Sequence, residues 1–471
     1  MKKTKIITTI GPVSSNYETL KKIVEAGSNT IRLNMSHGDY DEQMERVNLI
    51  KQINEELGTS VAVLLDTKGP EVRTGLFEPD TVLEKGNTVT IVTDEVVGNT
   101  EKFTVSYKDL YKDVKAGDTI LVDDGYLSLL VKEINGSDIV CEIQNTAKVK
   151  DRRGVNVPGV TLNFEFISEK DRSDLIWACE NDFDYIAASF VRNQQDAKEL
   201  REVIASTGNT NIKLIAKIES QDGVENFDAI LEECDGIMIA RGDLGVEVPA
   251  EDVPVIQSMI IEKCNRAGKI VITATQMLES MQNNPRPTRA EVSDVFNAVL
   301  NGTDAVMLSG ESAAGQYPVE AVAMQATICE KAEQSFNYDS YNQEIFANLS
   351  HTIQELVAYS VTSTAAKLEE AKLIIAITNS GATARSISRM RPKLPILAIT
   401  HDERVRRGLS LNYGVIAHQA EKKATMDEML DDAVNVAKEL GLVKAGDVVV
   451  ISAGSMAGKG NTDLMKVRVV A

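Results

Sequence analysis

The sequence predicts an α/β protein: a (β/α)8 barrel with an inserted antiparallel β-barrel lid domain and a C-terminal open-sheet α/β domain. Three observations carry this expectation. Short Val- and Ile-rich runs alternate with amphipathic helical stretches, eight such units recur mostly 24–35 residues apart, and one interval between units is far too long. Near-continuous apolar runs suit parallel strands covered on both faces, and eight strand–helix units close a barrel.

The eight runs are KIITTIG (5–11), NTIRLNMSH (29–37), VAVLLDTKG (61–69), DYIAASF (184–190), IKLIAKIES (212–220), GIMIARGDL (236–244), KIVITATQM (269–277) and DAVMLSGES (304–312). Intervening stretches such as NYETLKKIVEAG and QQDAKELREVIAS read as amphipathic helices, the first closing on a Gly suited to a helix C-terminus. Between Gly69 and Asp184 lie more than a hundred residues with a different pattern. TVLEKGNTVTIV and DTILVDDGYLSLLVKEINGSDIVCEIQ alternate with period two around Asp-Asp-Gly and Asn-Gly turns, the mark of antiparallel strands. The expected division is a barrel at 1–69 and 168–345, a lid at 70–167, and a third domain at 346–471. Growing from a βα loop, the lid lies over the C-terminal mouth, with GPEVRTG (69–75) and GVNVPGV (154–160) as hinges. In the third domain a helix from His351 to Glu370 precedes KLIIAIT, and helix–strand alternation continues to the C-terminal region.

Fifty basic against seventy acidic residues give a net charge of −20, which argues against nucleic-acid or anionic-membrane partners. Five cysteines (141, 179, 234, 264, 329) form no CxxC pair, as expected of reduced thiols in a cytoplasmic protein. The N-terminal apolar run is too short for a secretory leader, and no stretch reaches a membrane-span length. Four histidines (37, 351, 401, 418), only His37 at a predicted strand end, make a zinc cage or a Ser–His–Asp triad improbable. The run ISAGSMAGKGNT (451–462) lacks the GxxxxGK[ST] of a phosphate-binding loop.

Barrel chemistry sits at the C-terminal strand ends. Those ends supply Arg32, Asn34, Ser36 and His37; Asp66, Thr67 and Lys68; Lys217 and Glu219; Arg241 and Asp243; Thr273 and Thr275; and Ser309 and Glu311. Lys217 and Glu219, two apart on a strand, share a face. They read either as a structural ion pair or as an ammonium and a carboxylate at the mouth. Asp243, one strand on, is either a helix N-cap or a second carboxylate, which with Glu219 leaves room for water and substrate around an octahedral Mg2+. Arg32 either grips a phosphate or pairs with Asp66. Asn34, Ser36, Asp66 and Thr67 are oxygen donors suited to a large monovalent cation, though two polar strand ends look much the same. TNSGATAR (378–385) follows a strand and opens a helix, so it is either a helix cap or a phosphate site.

This constellation resembles the pyruvate kinase family. The motifs are TKIITTIGP (4–12), IRLNMSHGDY (31–40), LLDTKGPEVRTG (65–75), LVDDG (121–125), GVNVPGV (154–160), EKDRSDL (169–175), IAKIES (215–220), DGIMIARGDLGVEVP (235–249), VITATQMLESM (271–281), PRPTRAEVSDV (285–295) and DAVMLSGESAAGQYP (304–318). They span the barrel and both ends of the insert, and the third domain matches more loosely. The resemblance implies phosphoryl transfer from phosphoenolpyruvate to ADP, with Mg2+ (or Mn2+) and K+. It implies catalytic roles for Arg32, Lys217 and Thr275, substrate contacts from Gly242, Asp243 and Thr275, and Mg2+ ligation by Glu219 and Asp243. Asn34, Ser36, Asp66 and Thr67 match the K+ ligands, and Glu71 matches the K+-dependent version of the family. Asn34, His37 and Arg73 match nucleotide contacts. Arg153 stands where the family commonly has a lysine, and the two are not equivalent. Thr378, Ser380, Gly381 and Thr383 match an effector loop for a sugar phosphate, and the family forms homotetramers. The competing readings are a carbon–carbon lyase or aldolase on the same barrel, with Mg2+-bound enolate chemistry or a Lys217 Schiff base, and a catalytically silent sugar-phosphate sensor.

Overall fold

A computed structural model describes residues 1–209, 211–454 and 462–471. All eight expected barrel strands are present: Lys5–Thr9, Thr30–Asn34, Ala62–Asp66, Tyr185–Ala188, Lys213–Ile218, Gly236–Ala240, Ile270–Ala274 and Ala305–Leu308. They pair in parallel and in sequence order, and the eighth closes on the first. Period-two alternation explains the double coverage. Ile7, Leu64, Ile215, Met238 and Ile272 fill the interior, while their neighbours Ile6, Leu65, Ala216, Ile239 and Val271 pack under the helices. The helices begin at side-chain caps, among them Asn16, Asp39, Ser168, Asn193 and Thr288.

The insert is a mixed sheet in which one pair, Thr88–Val92 with Lys102–Thr104, runs parallel rather than antiparallel. Its seven strands have two ends, Val72–Arg73 and Lys102–Thr104. A bridge between Thr74 and Val105 joins those ends, with Gly75 N–H donating to Thr104 O at 2.8 Å and Ser106 N–H to Arg73 O at 2.7 Å. The sheet thus closes through this short bridge, around a core that includes Leu83, Ile91, Phe103 and Leu129.

The third domain is a five-stranded sheet, parallel except for its last strand, Thr462–Val469, which returns antiparallel to Val448–Gly454. The helix expected from His351 runs Ile353–Lys367, set by a capping box between Thr352 and Glu355. The preceding helix, Tyr338–Ala347, spans the expected boundary at 345 and contributes Ile345 to the third-domain core. This domain docks on the barrel floor. Arg407 pairs with Asp184 at 2.9 Å and Asp182 at 2.8 Å, Tyr185 Oη donates to Gly408 O at 2.9 Å, and Leu411 enters the barrel's interior cluster. Among the described residues no helix is long and apolar enough to cross a membrane.

Candidate active site

The mouth chemistry continues the interior rows. Strand two turns Ile31 and Leu33 outward, so Thr30, Arg32 and Asn34 face in, and Asp66 follows Ala62 and Leu64. Lys217 likewise follows Ile215, with Glu219 next on the same face. At this level the interior stack changes from apolar to charged, and the barrel brings together residues far apart in sequence. Lys217 Nζ lies 3.1 Å from Asp66 Oδ1, 3.0 Å from Glu219 Oε1 and 2.7 Å from Ser189 Oγ. Arg32 Nε donates to the other Asp66 oxygen at 2.6 Å and Nη1 to Thr9 Oγ1 at 3.1 Å. Both alternatives for Arg32 are therefore compatible: it pairs with Asp66 and still faces the mouth.

Burial governs the electrostatics. Asp66 and Glu219 are each 1% exposed. Against that burial, the Arg32 and Lys217 cations hold the Asp66 carboxyl below its ordinary range. Glu219 goes the other way: burial, then the nearby Asp243 and Asp66 charges, push it up to about 7 despite Lys217. Lys217 is raised, because Asp66 and Glu219 overcome the cost of burying its charge. Glu219 is thus a carboxylate short of positive charge. Among the described residues no cluster of three or more His, Cys, Asp or Glu is poised for a metal. The Glu219–Asp243 pair instead fits a cation that keeps much of its shell for water and substrate oxygens.

Asp243 lies in the helix Arg241–Glu247, close enough to act on both Lys217 and Glu219. Gly242 N–H donates to Thr275 Oγ1 at 2.8 Å, and that hydroxyl donates to Ala274 O at 2.6 Å. Thr275 and Gln276 both have left-handed backbone, φ 66° and 53°, a conformation that marks a constrained site. Arg241 turns away from the mouth. It pairs with Asp294 at 2.7 Å and donates to Thr275 O at 2.6 Å, bracing the strained turn. Thr273 hydrogen-bonds Thr303, and the Glu311 carboxylate accepts the backbone N–H groups of Leu278 and Ser309.

Asn34 and Asp66 are register partners on adjacent strands, and Ser36 N–H donates to Asn34 Oδ1 at 3.0 Å. Thr67 Oγ1 accepts from Ser189 N–H at 3.1 Å. His37 is exposed at the rim. In the lid, Arg73 forms a fork on Glu71 at 2.8 and 2.7 Å and reaches Arg152 O, while Arg153 faces Asp123 at 3.6 Å. The lid covers the mouth closely: burial and then Asp243 raise Asp124, which shares a cleft with Glu71, Phe190 and Asp243. Asn156 donates to Glu247 at 2.7 Å, and Thr161 to Asp222 at 3.1 Å.

In the third domain Gly381, φ 80°, caps the helix Ala382–Arg389, with Ser380 exposed beside it and Thr378 buried. The Thr383 hydroxyl is buried against Thr462 at 2.8 Å, so it points inward. Most of the glycine-rich run at 451–462 lies outside the described residues.

Ser189 and Phe190 escape the sequence reading. The only signal is a lone serine ending an Ala-rich strand, AASF. Ser189 holds the Lys217 ammonium, and Phe190 N–H donates to Glu219 Oε2 at 2.6 Å.

A closed (β/α)8 barrel whose mouth holds a buried lysine, an arginine and clustered carboxylates under a lid has the preorganised charges that a phosphotransferase acting on small anions requires. The profile described as "Pyruvate kinase, barrel domain" matches residues 1–322, and "Pyruvate kinase, alpha/beta domain" matches residues 355–468. The chain is 48% identical to a pyruvate kinase of Clostridium acetobutylicum over 473 residues, covering 100% of both proteins. It is also 48% identical to that of Bacillus licheniformis, covering 100% of this chain and 81% of that protein. A crystal structure of a pyruvate kinase from Cryptosporidium parvum superposes with a TM-score of 0.95 at 40% identity, covering 100% of this chain and 96% of that one. The chain belongs to the pyruvate kinase family, and its reaction is the glycolytic conversion of phosphoenolpyruvate and ADP to pyruvate and ATP.

Proposed function

We propose that Lys217 and Arg32 hold the phosphoryl group in transit, that Glu219 and Asp243 hold Mg2+ (or Mn2+), and that Asn34, Ser36, Asp66 and Thr67 hold K+. The observation that carries this reading is the ammonium of Lys217, fixed within 3.1 Å of Asp66 and 3.0 Å of Glu219 at the mouth. Phosphoryl transfer spreads negative charge over the equatorial oxygens, so preorganised cations lower its barrier. Arg32 spends Nε and Nη1 on Asp66 and Thr9, and its outer nitrogen serves the phosphoryl. Held by Glu219 and Asp243, a divalent ion would supply Lewis-acid stabilisation of the negative charge on the substrate's carboxylate. Gly242 N–H and Thr275 bind that carboxylate once their mutual hydrogen bond opens. Thr275 then passes a proton toward the enolate carbon as a conduit, its own hydroxyl being too weak an acid to serve as the source.

Asn34, His37, Arg73 and Arg153 would contact the nucleotide. Arg73 is held ready by Glu71, whose negative charge near the mouth accords with K+ dependence. Thr378, Ser380 and the Gly381 backbone would take a sugar phosphate, with Thr383 supporting the loop from beneath. The working unit in this reading is a cytoplasmic homotetramer, which the family resemblance supports. A Schiff-base mechanism is disfavoured because Asp66 and Glu219 keep Lys217 protonated, and only the free amine attacks a carbonyl.

The test is ATP formation from phosphoenolpyruvate and ADP while Mg2+, K+ and sugar phosphates are varied in turn. Turnover should vanish without a divalent cation and fall sharply when tetramethylammonium replaces K+. Full activity in either omission removes that ion from the proposal.

A further inference from the structure

We propose that Ser189 is a positioning residue, which together with Asp66 keeps the Lys217 ammonium in place when a divalent cation takes Glu219 from it. The inference deepens the metal assignment and rests on it. The Lys217 ammonium hydrogen-bonds Asp66 at 3.1 Å and Ser189 at 2.7 Å, whereas its 3.0 Å contact with Glu219 is an ion pair alone. Two of its three N–H donors are thus committed, and the third serves a phosphoryl oxygen. A divalent cation on Glu219 replaces that ion pair. The ammonium then keeps its place only through Asp66 and Ser189.

The surroundings of Ser189 fit this role. It is 3% exposed, so water does not substitute for it. Its hydroxyl donates to Thr67 O at 2.7 Å, which turns a lone pair toward Lys217 and leaves no proton for chemistry. Ser189 N–H donates in return to Thr67 Oγ1 at 3.1 Å, so side chain and backbone are both locked to the neighbouring strand end. The next residue completes the arrangement: Phe190 N–H, just before a left-handed φ of 56°, donates to the far oxygen of Glu219. Two successive residues thus grip the two halves of the Lys217–Glu219 pair by different atoms. Without the serine oxygen the lysine has only carboxylates to bond, and its existing ion pair with Glu219 tightens in competition with the metal.

Ser189→Ala and Ser189→Cys test this, the second keeping the side chain's bulk while replacing oxygen with a poor acceptor. Electron paramagnetic resonance titration with Mn2+ alone, without substrate, should show binding weakened about fivefold in both variants. Turnover at saturating metal should fall about tenfold, with the KM for phosphoenolpyruvate within about twofold of the parent. Unchanged Mn2+ affinity in a folded variant, or a raised KM with parental kcat, overturns the assignment. A parent that forms no pyruvate from phosphoenolpyruvate and ADP would refute the functional reading, whereas the Mn2+ titration decides the serine's role independently.

Discussion

Lys217 shows how much of a site one side chain organises. Its charge is buried, and three partners from three strand ends converge on it. Replacing it by methionine keeps the volume and removes the charge that, in the proposed mechanism, serves the transition state. Lys217→Met should lose most of kcat while the KM for phosphoenolpyruvate stays near the parent value, as steady-state kinetics would show. Asp66 is the complementary test. Asp66→Asn leaves the Arg32 and Lys217 cations facing each other without their shared anion, at a cost of about 3 kcal/mol, read as a lower urea midpoint. The Lys217–Glu219 pair was legible in the sequence because residues two apart on a strand share a face. Ser189 was not: one hydroxyl after an apolar strand has many uses, and only barrel closure puts it against a lysine 28 residues away. Arg241 misled for the opposite reason, since the helix beginning at that residue swings its side chain toward Asp294.

Among the elements, the loop leaving strand three is tightly constrained. Gly69 has φ 74°, and a Cβ there would lie 2.6 Å from Ser189 Cβ. Its N–H donates to Asp171 at 3.1 Å, a use for the EKDRSDL segment that the sequence left open. Gly69→Ala should lower stability by roughly 3 kcal/mol, combining left-handed strain with overpacking, and should reduce kcat by displacing Ser189. Gly86→Ala is the control: φ is 86° but the surrounding space is open, so only about 1 kcal/mol is expected. Urea unfolding of the two variants makes the comparison. The barrel strands were readable because burial on both faces writes itself as unbroken apolar runs. The parallel pair in the lid was not, because alternation reports which face is buried and says nothing of strand direction.

At the scale of the molecule, the third domain is fastened to the barrel floor through charges. Asp184 is buried beside Arg407, and burial still pushes its carboxyl up to about 6. A carboxyl raised in the folded state favours folding most at low pH, and that contribution fades as pH rises through 6. Arg407→Met removes the compensating cation and raises the carboxyl further. At pH 7.5 the variant should lose about 3 kcal/mol of stability, and the deficit should shrink at pH 5.5, where Asp184 takes up a proton instead. Urea midpoints at the two pH values check the sign. None of this docking was legible in the sequence, since Asp184 and Arg407 are 223 residues apart and each reads as an ordinary charged loop residue.

Leu411 stands among the residues that fill the inside of the barrel, although it belongs to the C-terminal sheet domain. The cylinder therefore has a stopper made from another part of the chain. Removing that domain would unplug an oily chamber whose upper layer carries Arg32, Asp66 and Lys217. Any shift of the C-terminal sheet domain has, through that plug, a mechanical handle on the floor of the cylinder.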